Sequence, residues 1–369
     1  MPEHKKVNYP VVKYAEDADA AAWVFTSKNS FVKQYVRLPD LKSDEIRGRV
    51  LYTSLCHTDC KMGRGKWGDI EYPICPGHEV IARVIKKGIA VTHLEVGDIV
   101  GIGPFVRSCG ECRFCKNDWN QACENLPFED RFIHYYRFGG FATHIQQPAK
   151  YCVKIPDGIE LNKASPLLCA GLTVFTPMNM YIKKEDKVAV MGCGGLGHLA
   201  VQFAKVMAKE VTVITHSKDK INYIKQLNPD KIVLQDDFLK NISDFKFDVI
   251  VNTLSVWPKR EHVKKWVDSL ANYGRLIVLG GASKNEPMNI NASWLTLKNN
   301  VVIVSCAGGL RQMKDMFDFV AKNNIHCFCE FYDFEHFDKA LQKLEKGEPH
   351  FRIVVDAESS ALDLEKKHK

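Results

Sequence analysis

The stretch VAVMGCGGLGHLAVQFAK, Val188 to Lys205, leaves the chain few choices of fold. Its apolar, β-branched start predicts a strand, and the apolar spacing after Gly197 predicts an amphipathic helix. Between them Gly192, Gly194 and Gly197 stand in G-x-G-x-x-G spacing, with Gly195 and Leu196 completing the turn. A strand, a tight glycine turn and a helix in that order open a parallel βαβ unit, where a pyrophosphate can approach the helix N-terminus. A bare motif fits a plain glycine-rich turn as well; the flanking strand and helix favour a dinucleotide site.

The end of the following strand separates the two nicotinamide cofactors. An NAD site usually offers a carboxylate there to the ribose, whereas VTVITHSKDK offers Thr215, His216 and Ser217, then Lys218 and Lys220. Hydroxyls and cations suit the 2′-phosphate of NADP(H). Lys218 and Lys220 fit a solvated helix face equally well, and Asp219 stands slightly late for a ribose contact, so NAD stays open.

FDVIVNTLS, GRLIVLGG and NVVIVSCAGG are further short apolar runs, spaced by segments such as Arg260 to Leu270 that read as helices. This half predicts a parallel sheet in an α/β domain. Val32 to Val100 differs: short β-rich runs broken by Gly, Pro and Asp predict a barrel or sandwich. Near the end, FYDFEHFDKALQKLEKGEPHFRIVVD predicts a helix and then a strand, and ESSALDLEKKHK a frayed tail. At 369 residues the chain has room for about two domains.

Charge excludes more than it selects. The 51 basic and 44 acidic residues are scattered, and the net +7 forms no nucleic-acid surface. MPEHKKVNYPVVKY has no apolar signal core, and no run reaches the roughly 18 apolar residues of a membrane span. The expectation is a soluble, cytoplasmic protein without a nucleic-acid or membrane partner.

Thirteen cysteines, an odd number, argue against a disulfide framework. Four of them, Cys109, Cys112, Cys115 and Cys123, follow C-x2-C-x2-C-x7-C, which lets one loop wrap four thiolates around a tetrahedral ion. All four positions would then be filled, leaving a structural site with no place for substrate. Paired disulfides and an iron–sulfur cluster compete for the same residues. The reducing context weighs against the first, and the distant fourth ligand of plant-type ferredoxins against the second.

CHTD at Cys56–Asp59, PGHE at Pro76–Glu79 and PLLCAGLT around Cys169 each place metal-ligand residue types beside a turn. Two thiolates and an imidazole, Cys56, His78 and Cys169, match the three-ligand shell of a catalytic zinc. Taken singly, each is equally a packed core residue.

The combination gains weight because these motifs, with YPICPGHEVIARV, VGDIVGIG, GGFATH and FRIVVD, run in one order from about Tyr9 to Asp356. In that order they resemble the zinc-dependent medium-chain alcohol dehydrogenases, and within them the cinnamyl alcohol dehydrogenase group. The resemblance implies a GroES-like β-barrel catalytic domain, residues 1–169 with a C-terminal return over 308–369, and an inserted doubly wound Rossmann domain over 170–307. It implies a catalytic Zn2+ on Cys56, His78 and Cys169, with Glu79 as an alternative ligand, and a structural Zn2+ on the four-cysteine loop. It further implies NADP(H), Thr58 as proton relay, an aldehyde or primary alcohol substrate, and a homodimer joined through the Rossmann sheets, NVVIVSCAGG being the candidate pairing strand.

Two departures stand out. Lys61 occupies the place where many of the group carry histidine, and Ser54 replaces the glycine of the family's GVCH. His57 fits either a cofactor phosphate contact or a surface position. Trp67, Phe105, Trp119, Phe138 and Leu310 are candidate pocket residues for an aromatic or medium-chain aldehyde, and equally candidate core. On the same fold, reduction of an activated C=C or iminium, or a cofactor-binding structural role without turnover, are the alternatives.

Overall fold

The computed structural model describes residues 9–66, 70–133, 138–256, 258–280 and 288–367. The chain divides into two compact units: Met1–Cys169 with Gly308–Lys322 and His326–Lys369, and Ala170–Ala307 with Asn323–Ile325.

In the first unit the β-branched run EIRGRVLYTSL forms the long strand Glu45–Leu55, which pairs on one side with Val80–Lys87 and on the other with Arg352–Asp356. Ile99–Ile102 and Cys152–Lys154 extend that seven-stranded sheet, His144–Pro148 pairs with part of the long strand, and Cys329–Asp333 forms the far edge, parallel to Arg352–Asp356. A smaller three-stranded sheet of Val11–Val12, Ser30–Val36 and Ala20–Ser27 accompanies it. The core is aromatic: Trp23 and Phe31 stack at 5.3 Å, and Phe141 and Phe337 lie 4.4 Å apart. The Trp23 indole N–H donates to the Phe334 carbonyl at 2.9 Å, so its one polar atom is satisfied inside that core.

The segment after Asp356 corrects the expectation of a frayed tail. Glu358–Lys366 is a helix with Ala361 and Leu364 buried. Arg49 Nε and His144 Nε2 reach Glu365 Oε1 at 2.7 and 2.9 Å. Both partners come from strands more than 200 residues away, so nothing local in ESSALDLEKKHK signals the anchor.

In the second unit six parallel strands stand in the order Lys231–Leu234, Glu210–Thr215, Lys187–Met191, Phe247–Asn252, Leu270–Val278, Val301–Val304. The chain starts in the middle, winds to one edge and then to the other. The reversal lies between Lys187–Met191 and Phe247–Asn252, the position at which doubly wound sheets bind ligands. Trp266, Phe238, Ile250 and Leu276 fill the core on one side of this sheet; burying each such side chain contributes about 1.5–3 kcal/mol.

Candidate active site

The strand Glu45–Leu55 ends at Cys56, the N-cap of a short helix, His57–Gly63. A capping box closes this end: Cys56 Sγ accepts from the Thr58 N–H at 3.5 Å, and Asp59 Oδ2 accepts from the Cys56 N–H at 3.1 Å. Asp59 also holds the PGHE turn, its Oδ1 accepting from the Gly77 N–H at 2.9 Å and lying 2.9 Å from His78 Nδ1. A carboxylate on Nδ1 leaves Nε2 as the ligating nitrogen and fixes the ring. Cys169, which follows the buried turn Ser165–Leu168, completes the group.

The ligand atoms of Cys56, His78, Glu79 and Cys169 all lie within 4.8 Å of one another. His78 and Glu79 are fully buried. The electrostatics are those of a site built to hold a cation. A hydrogen bond from the Cys169 thiol, with one from His78 and the charge of that ring, holds Cys56 well below the usual thiol range in spite of burial. Burial pushes the His78 imidazolium down, but Asp59 and Cys56 outweigh it and raise the pKa. The residues fit a zinc ion: two thiols and one imidazole converge, the imidazole is oriented from behind, and the remaining carboxylate is already engaged. Glu79 Oε1 lies 2.6 Å from Arg352 Nη2, and its Oε2 meets both Arg352 and Ser54.

Thr58 sits in the first turn of the same helix, half-buried, with His57 exposed beside it and Lys61 one turn on. Phe132 lies 5.5 Å from the His78 ring, and Phe105 and Phe128 pack on Phe132 at 5.6 and 5.7 Å. Of the candidate pocket residues, Phe105 belongs to this wall. Phe138 instead stacks on Tyr9, and Leu310 and Trp119 belong to the cysteine lobe and its support. Trp67 lies outside the described residues. Sequence reasoning missed Arg352, Asp59 and Phe132. Asp59 was visible in CHTD; Arg352 arrives from the far end of the chain through strand pairing.

The thiols of Cys109, Cys112, Cys115 and Cys123 also converge within 4.8 Å. Backbone N–H groups of Glu111 and Cys112 point at Cys109 Sγ at 3.4 Å, and that of Cys109 at Cys123 Sγ at 3.5 Å. Such donors favour thiolates, and Cys112, bonded by the backbone at Cys115, is held down at about 6. The loop is seated on the return segment: Asn120 Oδ1 accepts from the Leu310 N–H at 2.8 Å, and Asp118 O from the Arg311 N–H at 3.2 Å. A second zinc would be closed to substrate here.

In the glycine turn, Gly192 has φ +85°, and a side chain there would meet Leu254 at 2.6 Å. Gly197 packs its α-carbon on the Gly192 carbonyl, where a Cβ would come within 2.3 Å. Gly194 differs: among the described residues nothing beyond its chain neighbours lies within 4 Å of the Cβ it lacks, an open cradle that fits a diphosphate. Gly195 and Leu196 lead into the helix Gly197–Met207. At the next strand end, Thr215 is buried and its Oγ1 accepts from the Ser217 N–H at 3.2 Å. His216, Lys218 and Asp219 are exposed and Ser217 and Lys220 half-buried. Lys220 is near enough to the turn to draw down the Cys193 thiol, which burial pushes up to about 12.

Two family models match the chain, the alcohol dehydrogenase GroES-like domain over residues 42–157 and the zinc-binding dehydrogenase over 195–322. Alcohol dehydrogenase 9 of Catharanthus roseus is 34% identical over 323 residues, 85% of this chain and 87% of the relative. A cinnamyl alcohol dehydrogenase structure from Sorghum bicolor superposes with a TM-score of 0.83 at 28% identity, over 92% of this chain and 97% of that one. The Helicobacter pylori cinnamyl alcohol dehydrogenase complexed with NADP(H) gives 0.81 at 27% identity, over 92% and 98%. With both domains, both cysteine-bearing clusters and relatives of nearly full length in agreement, the chain belongs to the zinc-type medium-chain alcohol dehydrogenases, in their cinnamyl alcohol dehydrogenase group.

Proposed function

We propose that this protein interconverts an aldehyde and a primary alcohol by hydride transfer with NADP(H). The observation that carries the reading is the convergence of Cys56, His78 and Cys169 within 4.8 Å, with the nearby Glu79 engaged by Arg352 and Ser54. Cys56, His78 and Cys169 would hold a zinc ion with a fourth position left for substrate.

A zinc ion held by these three residues supplies Lewis-acid polarisation of a carbonyl oxygen, and a nicotinamide supplies the hydride. The chain's own residues do the rest. Asp59 fixes the His78 ring, and Arg352 offsets the buried negative charge of the thiolates and Glu79. Thr58, two residues past Cys56, offers a hydroxyl to pass a proton to the new alkoxide, as the Ser or Thr of related enzymes does. Lys61 stands where the resemblance implies a histidine that would continue such a relay, so onward transfer would fall to water or a ribose hydroxyl. Phe132, Phe105 and Phe128 form an apolar wall beside His78, which supports an aromatic or medium-chain substrate.

The open cradle at Gly194, the hydroxyls of Thr215 and Ser217, half-buried Lys220 and the NADP(H) complex of the Helicobacter pylori relative support NADP(H) as cofactor. A homodimer formed through the free edge of the Val301–Val304 strand is supported by exposed Val301 and Val304. The 13 cysteines, an odd number, fit a cytoplasmic setting, and no helix among the described residues is long and apolar enough to cross a membrane.

The test is NADPH oxidation by the zinc-replete protein against a panel of aromatic and aliphatic aldehydes, with NADH in parallel and Cys56→Ser as control. Turnover with NADPH that vanishes in the control is expected. No turnover with any aldehyde, with zinc and cofactor bound, would sink the reading and turn the search to C=C or iminium substrates.

A further inference from the structure

Ser54, which stands where related chains carry glycine, has no task in that mechanism. We propose that it is a positioning residue: its hydroxyl holds the Glu79 carboxylate on Arg352 and away from the Cys56, His78 and Cys169 ligands, keeping the fourth position open. The inference rests on the reading of that cluster as a metal site.

Glu79 is close enough to compete, its carboxylate lying within 4.8 Å of the other ligand atoms. It is fully buried. Arg352 grips it incompletely. Both contacts come from one nitrogen, Nη2, and among the described residues the buried Nε has no hydrogen-bond partner. A guanidinium using two nitrogens would fix the plane of the carboxylate; one nitrogen acts as a pivot about which it can turn.

Ser54 supplies the missing direction. Its Oγ meets Glu79 Oε2, and its own backbone is fixed on both sides, through the Ser54 N–H to the Glu79 carbonyl at 3.1 Å and through pairing with Val354. The side chain is fully buried, so the hydroxyl has no solvent to turn to. Its one hydrogen can be given to Glu79 Oε2, the oxygen that Arg352 Nη2 also meets. Glycine at this position would leave Glu79 on its pivot. Charge works in the same direction: two thiolates already balance a divalent ion, and a third anion there would strand a buried guanidinium.

Losing one hydrogen bond to a charged group shifts such a balance by about 10- to 100-fold toward the ligating position. The experiment replaces the catalytic zinc with Co(II) in the full chain and records the d–d absorption and the cobalt coordination number by X-ray absorption. Wild type, Ser54→Gly, Ser54→Ala, Glu79→Gln and the Ser54→Gly/Glu79→Gln double variant are compared. The wild type should show the intense bands of a four-coordinate ion. Both serine variants should show weaker bands and a higher coordination number, release cobalt to a chelator more slowly, and raise the aldehyde KM more than they lower kcat. All of these changes should disappear in the Glu79→Gln background.

Cobalt spectra of Ser54→Gly and Ser54→Ala identical to wild type would overturn the proposal. So would a change that persists with Glu79→Gln, since Ser54 would then act through packing. Cobalt bound only at the four-cysteine loop of the wild type would overturn the metal reading itself, a result distinguishable from the other two.

Discussion

His78 can serve as a ligand because Asp59, 19 positions earlier, holds its Nδ1 at 2.9 Å while also bonding the Cys56 and Gly77 amides. Asp59→Asn weakens this support without removing a ligand, and metal affinity should fall about 10- to 100-fold, measured as zinc release to a chromophoric chelator. Lys220 makes a second test at this scale. If it meets a 2′-phosphate, Lys220→Ala should raise the NADPH KM about tenfold, the worth of one charged hydrogen bond, and leave the NADH KM unchanged. Equal effects on both cofactors would return Lys220 to the solvated helix face. Legible from their own local spacing were the four cysteines of the loop and the three glycines of the turn, whereas Cys56, His78 and Cys169 were expected only through the family resemblance. Phe132 carries no motif and Arg352 stood in FRIVVD with no role read for it; their part in the site comes from what lies across from them.

The C-terminal helix shows how an element can depend on distant partners. Burial pushes Glu365 up, but Arg49 and His144 outweigh it and hold its carboxyl below the usual range. Burial pushes His144 down, and Glu365 only partly opposes this. Both pKa values are therefore lower in the folded protein than in the unfolded chain. The unfolded state takes up protons first as pH falls, so the support is present above the unfolded values and is lost through the folded ones. Loosening should start below about 6.5 with His144 and deepen below about 4.5 with Glu365, the ordinary values of these groups. Hydrogen exchange of the 358–366 amides, corrected for intrinsic rates, should show this, and His144→Ala should remove the upper part of the transition. Protection unchanged between pH 7.5 and 4 would refute it. The same charges that anchor the helix made its sequence look like a solvated tail.

For the whole molecule, the edge of the six-stranded sheet is the feature that asks for a partner. Val301 and Val304 are 51% and 70% exposed, and Leu297 just before that strand is 90% exposed. An unprotected apolar edge strand is a liability unless another strand covers it. Val304→Glu adds a charge at an exposed position and should leave the protomer folded while halving the mass seen by light scattering. A wild type that is already monomeric would remove the dimer from the proposed function.

The amino-acid sequence by itself determined the periodic and the contiguous features. It showed a strand, glycine turn and helix, a parallel α/β half beside a β-rich half, and a loop with four thiols at ligand spacing. Each of these depends on neighbours within about 20 residues, where backbone geometry relates position directly to space. Only the tertiary structure decided the rest. It brought Cys56, His78 and Cys169 together across 113 positions, placed Arg352 and Ser54 on one carboxylate, and turned a charged tail into a docked helix. Those contacts arise from strand pairing and burial between segments far apart in the chain, and their energies belong to the pair, not to either residue.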